Sequence, residues 1–178
     1  MARKLSPLAV GCGVAALLLL GGAIFLLLVG GLAIQNGIVA NPDARPAGKI
    51  PARHLRQLQE MGVTRKDETV LFFYSAAFTV RGDGNLFTDQ RVISYQEADG
   101  VLEISDATYD EIAEIEFLPS GTWLEDSTIT VTQHDGSWFV LYISTGSQGD
   151  ALFYNKLMEE WRKHKRAEAV VESDGDEE

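Results

Sequence analysis

The sequence predicts an α+β, mainly β chain, in which one hydrophobic helix precedes a curved antiparallel sheet capped by a C-terminal helix. Three observations carry that expectation. No charged residue lies between Lys4 and Asp43, and a leucine-rich run sits inside the gap. From Thr69 to Ile143, short β-branched and aromatic runs alternate with Gly, Asp and Asn punctuation. After Gly149 the period becomes helical, with Phe153, Leu157 and Trp161 four apart.

Val14 to Ile34 holds only apolar residues and glycine, including Leu17, Leu18, Leu19, Leu20, Leu26, Leu27 and Leu28. At ~1.5 Å rise per residue the run spans roughly 30 Å, the thickness of a hydrocarbon core. A soluble core helix would show polar residues every few positions, and this run has none. The expectation is therefore an uncleaved transmembrane anchor over residues 1–40. A processed signal is the alternative, because Ile38-Val39-Ala40 offers a weak cleavage site, although a signal's apolar region is typically ~7–15 residues. Leu8-Ala9-Val10-Gly11-Cys12 resembles a lipoprotein signal, but the hydrophobic run follows that cysteine instead of preceding it. Gly21, Gly22, Gly30 and Gly31 read as ordinary membrane glycines. Arg3 and Lys4 on one flank nearly balance Arg45, Lys49, Arg53 and Arg56 on the other. The slight excess after the helix points to a single-pass cell-membrane protein with its domain on the cytoplasmic side.

Residues 41–65 read as a linker. Pro42 and Pro46 break Asn41 to Gly48 into an irregular connector. A short amphipathic helix follows from Pro51, with Leu55, Leu58 and Met61 on one side and Gly62 as its stop; either its basic side, Arg53 and Arg56, lies on head groups or the helix packs on the domain.

The folded domain is expected over residues 66–166. Thr69 to Ser75 is a strand, and Arg81-Gly82-Asp83-Gly84-Asn85 reads as a turn. Leu86 to Thr88 and Arg91 to Tyr95 are strands around Asp89-Gln90, and Ala98-Asp99-Gly100 turns the chain into Val101 to Ser105. Tyr109 to Ile112 reads as a helical turn leading into Ile115-Glu116-Phe117. Thr128 to Thr132 alternates cleanly, and Asp135-Gly136 returns it through Trp138 to Ile143 as a hairpin. The final helix presents Phe153, Leu157 and Trp161, with Leu152 and Met158 beside them, to plug the open end of the bent sheet. Asp150 is its predicted N-cap, and Arg162, Lys163, Lys165 and Arg166 complement the dipole at its end. Residues 167–178, acidic and poor in large apolar side chains, are expected to be a disordered tail.

Read together, Leu71-Phe72-Phe73-Tyr74-Ser75, Leu86-Phe87-Thr88-Asp89-Gln90-Arg91-Val92-Ile93-Ser94-Tyr95, Tyr109-Asp110-Glu111-Ile112-Ala113-Glu114-Ile115 and the helix around Phe153, Leu157 and Trp161 resemble the pleckstrin-homology-like (PH-like) domains of bacterial proteins. The resemblance covers roughly Thr69 to Arg166. It implies a seven-stranded curved sheet capped by a C-terminal helix. The family's lipid-binding members carry a basic cluster around the first strand-to-strand loop, where this chain has Arg81 alone beside Asp83. Head-group binding is therefore not carried over.

Charge narrows the partners. The formal net charge is -11, and between Asp67 and Asp150 only Arg81 and Arg91 offset sixteen acids. Such a surface repels phosphate backbones, which excludes nucleic acid. The lone Cys12 allows neither an intrachain disulfide nor a thiolate metal site. His54, His134 and His164 lack metal-ligand spacing and read as surface residues. Asp110, Glu111, Glu114 and Glu116 read as a solvated acidic edge. Ser75 and Ser94 lack a nucleophile elbow, and no phosphate-cradling loop is present. No enzyme, cofactor, metal or small-molecule substrate is expected. What remains is a membrane-held binding or scaffold module, its protein partner met by the curved sheet or an open strand edge. The alternative is a lipid-contacting surface sensor using Arg53, Arg56, Arg162, Lys163, Lys165 and Arg166.

Overall fold

The computed structural model describes residues 20–25, 27, 28, 44–77, 79–122 and 125–175. The predicted anchor lies largely outside them. Its described residues, Leu20 to Phe25, Leu27 and Leu28, are helical and exposed. Among the described residues no helix is long and apolar enough to cross a membrane.

The strands form two antiparallel sheets. In the first, β1 (Arg45–Pro46), β2 (Val70–Tyr74), β3 (Asp83–Thr88), β4 (Arg91–Ala98) and β5 (Val101–Thr108) lie side by side in chain order. In the second, β6 (Ile112–Leu118), β7 (Ser127–Gln133) and β8 (Trp138–Ile143) do the same. Helix α1 (Ala52–Glu60) precedes β2, and α2 (Gly149–Gly175) follows β8. Setting aside the two-residue β1, the count of seven strands and the C-terminal helix agree with the PH-like architecture. The strands are split four and three between two sheets instead of forming one.

β2, β3 and the first half of β4 are buried on both faces, which fits the apolar runs Val70–Tyr74, Leu86–Phe87 and Val92–Ile93, while β5 and the end of β4 are largely exposed. A bulge between Val70 and Phe72 shifts the alternation of β2, which sends Val70 and Phe73 outward and Phe72 and Tyr74 inward. Val70, Phe73, Leu86, Ile93 and Tyr95 make an outer core with Ile50, Leu58 and Val63 from the α1 region. Phe72, Tyr74, Phe87, Val92 and Ala107 make an inner core shared with the second sheet and α2. At its centre Phe153 lies edge-on to Phe72 and Phe87, with ring centroids 5.4 Å and 5.1 Å away. Phe153 and Leu157 are wholly buried and Trp161 half-buried, while Leu152 is exposed. The helix stripe thus closes the space between the sheets.

Several expectations need correction. The predicted linker is part of the domain. Arg45 and Pro46 pair with Phe73 and Phe72 and Ile50 is buried, while α1 docks on the outer face, the packing alternative expected for that helix. Gly62, at φ 75°, ends α1 while the Val63 amide donates to the Leu58 carbonyl. His54 is buried, not surface, because it shares the inward side of α1 with Leu58 and meets the edge of the Phe73 ring. The predicted turn at Arg81 to Asn85 is shorter. Asp83, Gly84 and Asn85 belong to β3, where Gly84 faces Tyr95 and a Cβ would sit 2.6 Å from that ring. Tyr109 to Glu111 is a turn, not helix, closed by Glu111 Oε2 accepting from the Thr108 amide and hydroxyl. Asp150 sits inside the first turn of α2, and its carboxylate accepts from Ser127 Oγ at 2.6 Å instead of capping the helix. Finally, α2 runs on to Gly175 through much of the predicted tail, where Ala167, Glu168 and Ala169 are good helix formers.

One buried ion pair ties the α1 connection to the sheets. Arg91 Nε donates to Glu68 Oε1 at 2.7 Å, Nη1 to Asp106, and Nη2 to the Val63 carbonyl at 3.1 Å. Burial alone would lower the Arg91 guanidinium, but its hydrogen bonds to Glu68 and Asp106 outweigh that and raise it.

Two stability outcomes follow. Phe153→Ala empties the junction of the sheets and costs ~3–5 kcal/mol, read by urea unfolding of the full chain, whereas Leu152→Ala on the exposed side costs under ~0.5 kcal/mol. Glu68→Ala leaves a buried guanidinium short of its main partner and costs about 3–5 kcal/mol in the same measurement.

Candidate functional site

The two sheets do not close on each other everywhere. Among the described residues β5 and β8 are outer strands of their sheets, each paired on one side only. Where β8 passes β3 and β4, a cleft of about 520 Å³ opens between the sheets. That volume falls within the range of ligand-binding clefts, ~300–1,000 Å³. One wall is the ends of β3, β4 and β5, with Asp83, Asn85, Ser94, Gln96 and Glu103. The other is β8, with Trp138, Val140 and Tyr142. Asp126, just before β7, stands at the cleft as well.

Local structure fixes each wall. Asn85 bridges the sheets, since its Nδ2 donates to the Tyr142 carbonyl at 2.9 Å while its Oδ1 accepts from Ser94 Oγ at 2.8 Å. Asp83 Oδ1 accepts from Ser75 Oγ and from the amides of Ala76 and Ala77, so it organises the chain leaving β2. Along β8, Phe139, Leu141 and Ile143 enter the inner core, and strand alternation turns Trp138 and Tyr142 out. Trp138 is 66% exposed and Tyr142 56% exposed, a large apolar area to leave in water.

The electrostatics are one-signed. Asp83, Glu103 and Asp126 line the cleft, and no Lys, Arg or His joins them. Partial burial, and then the nearby charge of Asp83, push the Asp126 carboxyl above the usual carboxylate range. Burial first, and then Asp126, push the Tyr74 phenol up to about 12 despite its hydrogen bonding with Ser144. A cation entering the cleft would relieve this crowding of negative charge.

The six basic residues singled out from the sequence do not converge. Arg53 and Arg56 are exposed on α1, which packs against the outer face of the first sheet. Arg162, Lys163, Lys165 and Arg166 lie on α2, whose stripe packs against the inner face. Lys163 Nζ donates to Glu160 Oε1 at 2.8 Å, a bond that raises the ammonium. His164 is not a bare surface residue, because its ring stacks on Tyr109 at 4.4 Å. The Thr108 hydroxyl, its own backbone, and then the charges of Lys165 and His164 lower the Asp110 carboxyl, which places the basic helix end beside that turn. His134 is exposed, as expected. Among the described residues no three His, Cys, Asp or Glu side chains gather as a metal site.

The cleft is not among the features expected from the sequence. Its signal lies in β8, where Trp-Phe-Val-Leu-Tyr-Ile is apolar on both faces while the partner strand turns threonines outward. A hairpin with one polar outer strand and one aromatic outer strand marks an uncovered patch.

No protein-family model matches the chain. No curated protein matches it either. Among solved structures it is similar to a DUF1696-family protein with a pleckstrin-homology domain from Shewanella loihica. The TM-score is 0.46 and the identity 19%, over 68% of this chain and 96% of that one.

The perturbed carboxyl yields a pH outcome. In a carbon-13 titration, Asp126 has its midpoint above the ordinary aspartate value of about 3.9. A raised folded-state value means the stability contribution is complete below the unfolded-chain value and is lost as pH rises through the folded one. Asp126→Asn therefore matches the native chain in unfolding below about pH 4 and exceeds it at neutral pH. A native chain that stays level with the variant at neutral pH contradicts the assignment.

Proposed function

We propose that this protein is a non-catalytic, single-pass membrane-anchored binding module whose PH-like domain holds a protein partner at the bilayer surface. The observation that carries the binding part is the inter-sheet cleft, where exposed Trp138 and Tyr142 flank a strand edge without a sheet partner among the described residues. An open edge offers backbone hydrogen bonds to an extended segment, and flanking aromatics supply contact area at low entropic cost. The anchor rests on the charge-free run from Val14 to Ile34. A tether of that kind raises the effective concentration of the domain for anything else bound to the same membrane. The connection is short, since the described domain begins at Ala44 and Arg45 already pairs with β2. The cytoplasmic side remains the favoured one from the flanking basic residues.

The lipid-sensor alternative gains less support. Its six basic residues are divided between opposite faces of the first sheet, and Lys163 is already bonded to Glu160.

Two measurements test the reading. In carbonate extraction the full chain stays with the membrane pellet, and deletion of residues 5–40 releases it; a full chain that washes off removes the anchor. A photo-crosslinking residue at Trp138, in native membranes, gives a discrete protein adduct. Once identified and purified, that protein binds the full chain and loses about tenfold affinity with Tyr142→Ala. Equal adducts from a crosslinker at Arg53 or Arg162 would sink the assignment of the cleft.

A further inference from the structure

We infer that the segment received by the cleft is basic: an extended stretch of protein bearing lysine or arginine, laid along the open edge of β8. This deepens the binding reading above and rests on it.

Three properties of the site converge on that occupant. The first is sign, because Asp83, Glu103 and Asp126 line the cleft without a single base to offset them. Asp126 is the most telling of the three, since burial and then the charge of Asp83 disfavour its ionised form. An arriving cation replaces that repulsion with attraction, so binding and ionisation of Asp126 favour each other.

The second is the aromatic wall. Trp138 and Tyr142 lie on one face of β8, four residues and roughly 13 Å apart along the strand. That spacing matches side chains four residues apart on one face of an extended partner, two steps of about 7 Å each. Aromatic faces attract ammonium and guanidinium groups while also covering their aliphatic stems. A plain apolar segment would satisfy only the aromatic wall, and an acidic one neither.

The third is the edge itself. Among the described residues β8 has a ladder partner only in β7; the Tyr142 carbonyl on its open side already accepts from Asn85 Nδ2, which leaves the backbone of Trp138 and Val140, of the same ladder parity, facing the cleft. A strand-like partner finds backbone groups there, which a compact polyamine cannot exploit. The occupant is therefore a peptide chain and not a free cation.

The test uses the full chain in detergent micelles, with fluorescence anisotropy of labelled peptides. The probe is a decapeptide of alternating lysine and valine, compared with its glutamate–valine counterpart and with spermine as competitor. The lysine peptide binds, the glutamate peptide does not, and spermine competes only at about tenfold or greater excess over its concentration. Glu103→Gln with Asp126→Asn weakens binding about five- to tenfold, and Trp138→Ala weakens it by a similar factor. Because the whole chain is acidic, the decisive control is Glu114→Gln with Glu116→Gln, which removes two exposed charges from β6 at the far edge of the second sheet. That pair leaves affinity unchanged. If it weakens binding as much as the cleft pair, the attraction is to net charge and the inference fails. Failure of the lysine peptide to bind, or spermine competing on equal terms, also overturns it. When the Trp138 crosslink is seen but the lysine peptide does not bind, the cleft stands and only its cationic preference falls. When neither is seen, the binding reading falls with it.

Discussion

Everything in the domain depends on how the junction between the two sheets is filled. Each sheet alone would present a bare apolar face to water, and the curvature that brings them together leaves a wedge of space. Phe153 and Leu157, both wholly buried, occupy that wedge from α2. Phe153 reaches Phe72 and Phe87 of the first sheet, and the same cluster takes in Ile129, Val131, Phe139 and Leu141 of the second. The helix is therefore a core element, and its start is held to β7 by the Ser127–Asp150 hydrogen bond. A short polar bond at the rim and an aromatic cluster at the centre act on the same element, so its docking is defined in both position and register.

The outer face of the first sheet is consumed in a different way. Residues that look like a tether, from Arg45 to Val63, supply an edge strand, a helix and several buried apolar side chains. Arg91 then fastens the end of that segment, taking the Glu68 carboxylate and the Val63 carbonyl on one side and Asp106 of β5 on the other. Buried ion pairs of this kind add little net stability compared with apolar contacts, but they penalise any arrangement that leaves one partner alone. Here the penalty falls on undocking of the α1 region. With β2, β3 and the first half of β4 covered on both faces, the open part of the first sheet is the end of β4 and β5, which border the cleft. That is why the cleft beside β8, and not the broad sheet surface, carries the functional reading.

Charge follows the same geometry. The acids of the domain are spread widely, but the fold gathers Asp83, Glu103 and Asp126 into one concave site facing two aromatics. The basic residues are treated in the opposite way. Arg53 and Arg56 go with α1 and Arg162 to Arg166 with α2, on either side of a sheet, and part of the second group is engaged with Glu160 and the Asp110 turn. A chain with a formal charge of -11 thus has a concentrated acidic site and no comparably concentrated basic one among the described residues.

Local pattern alone was enough for the strands from β2 onward except the first half of β3, for the Asp99-Gly100 and Asp135-Gly136 turns and for the stripe of α2, because alternation and turn chemistry act over a few residues. It also carried the expectation of an anchor, which rests on the apolar run and lies largely outside the described residues. Tertiary structure decided the rest. Whether His54 is wet or buried depends on a sheet that forms later in the chain, and Gly84 is read as a turn residue until Tyr95 is seen across from it. Asp83 and Asp126, 43 positions apart in sequence, become electrostatic neighbours only when β8 is laid beside β3 and β4. Periodicity reports which way a side chain points relative to its own strand. It contains no record of what another strand, folded from a distant segment, will place opposite.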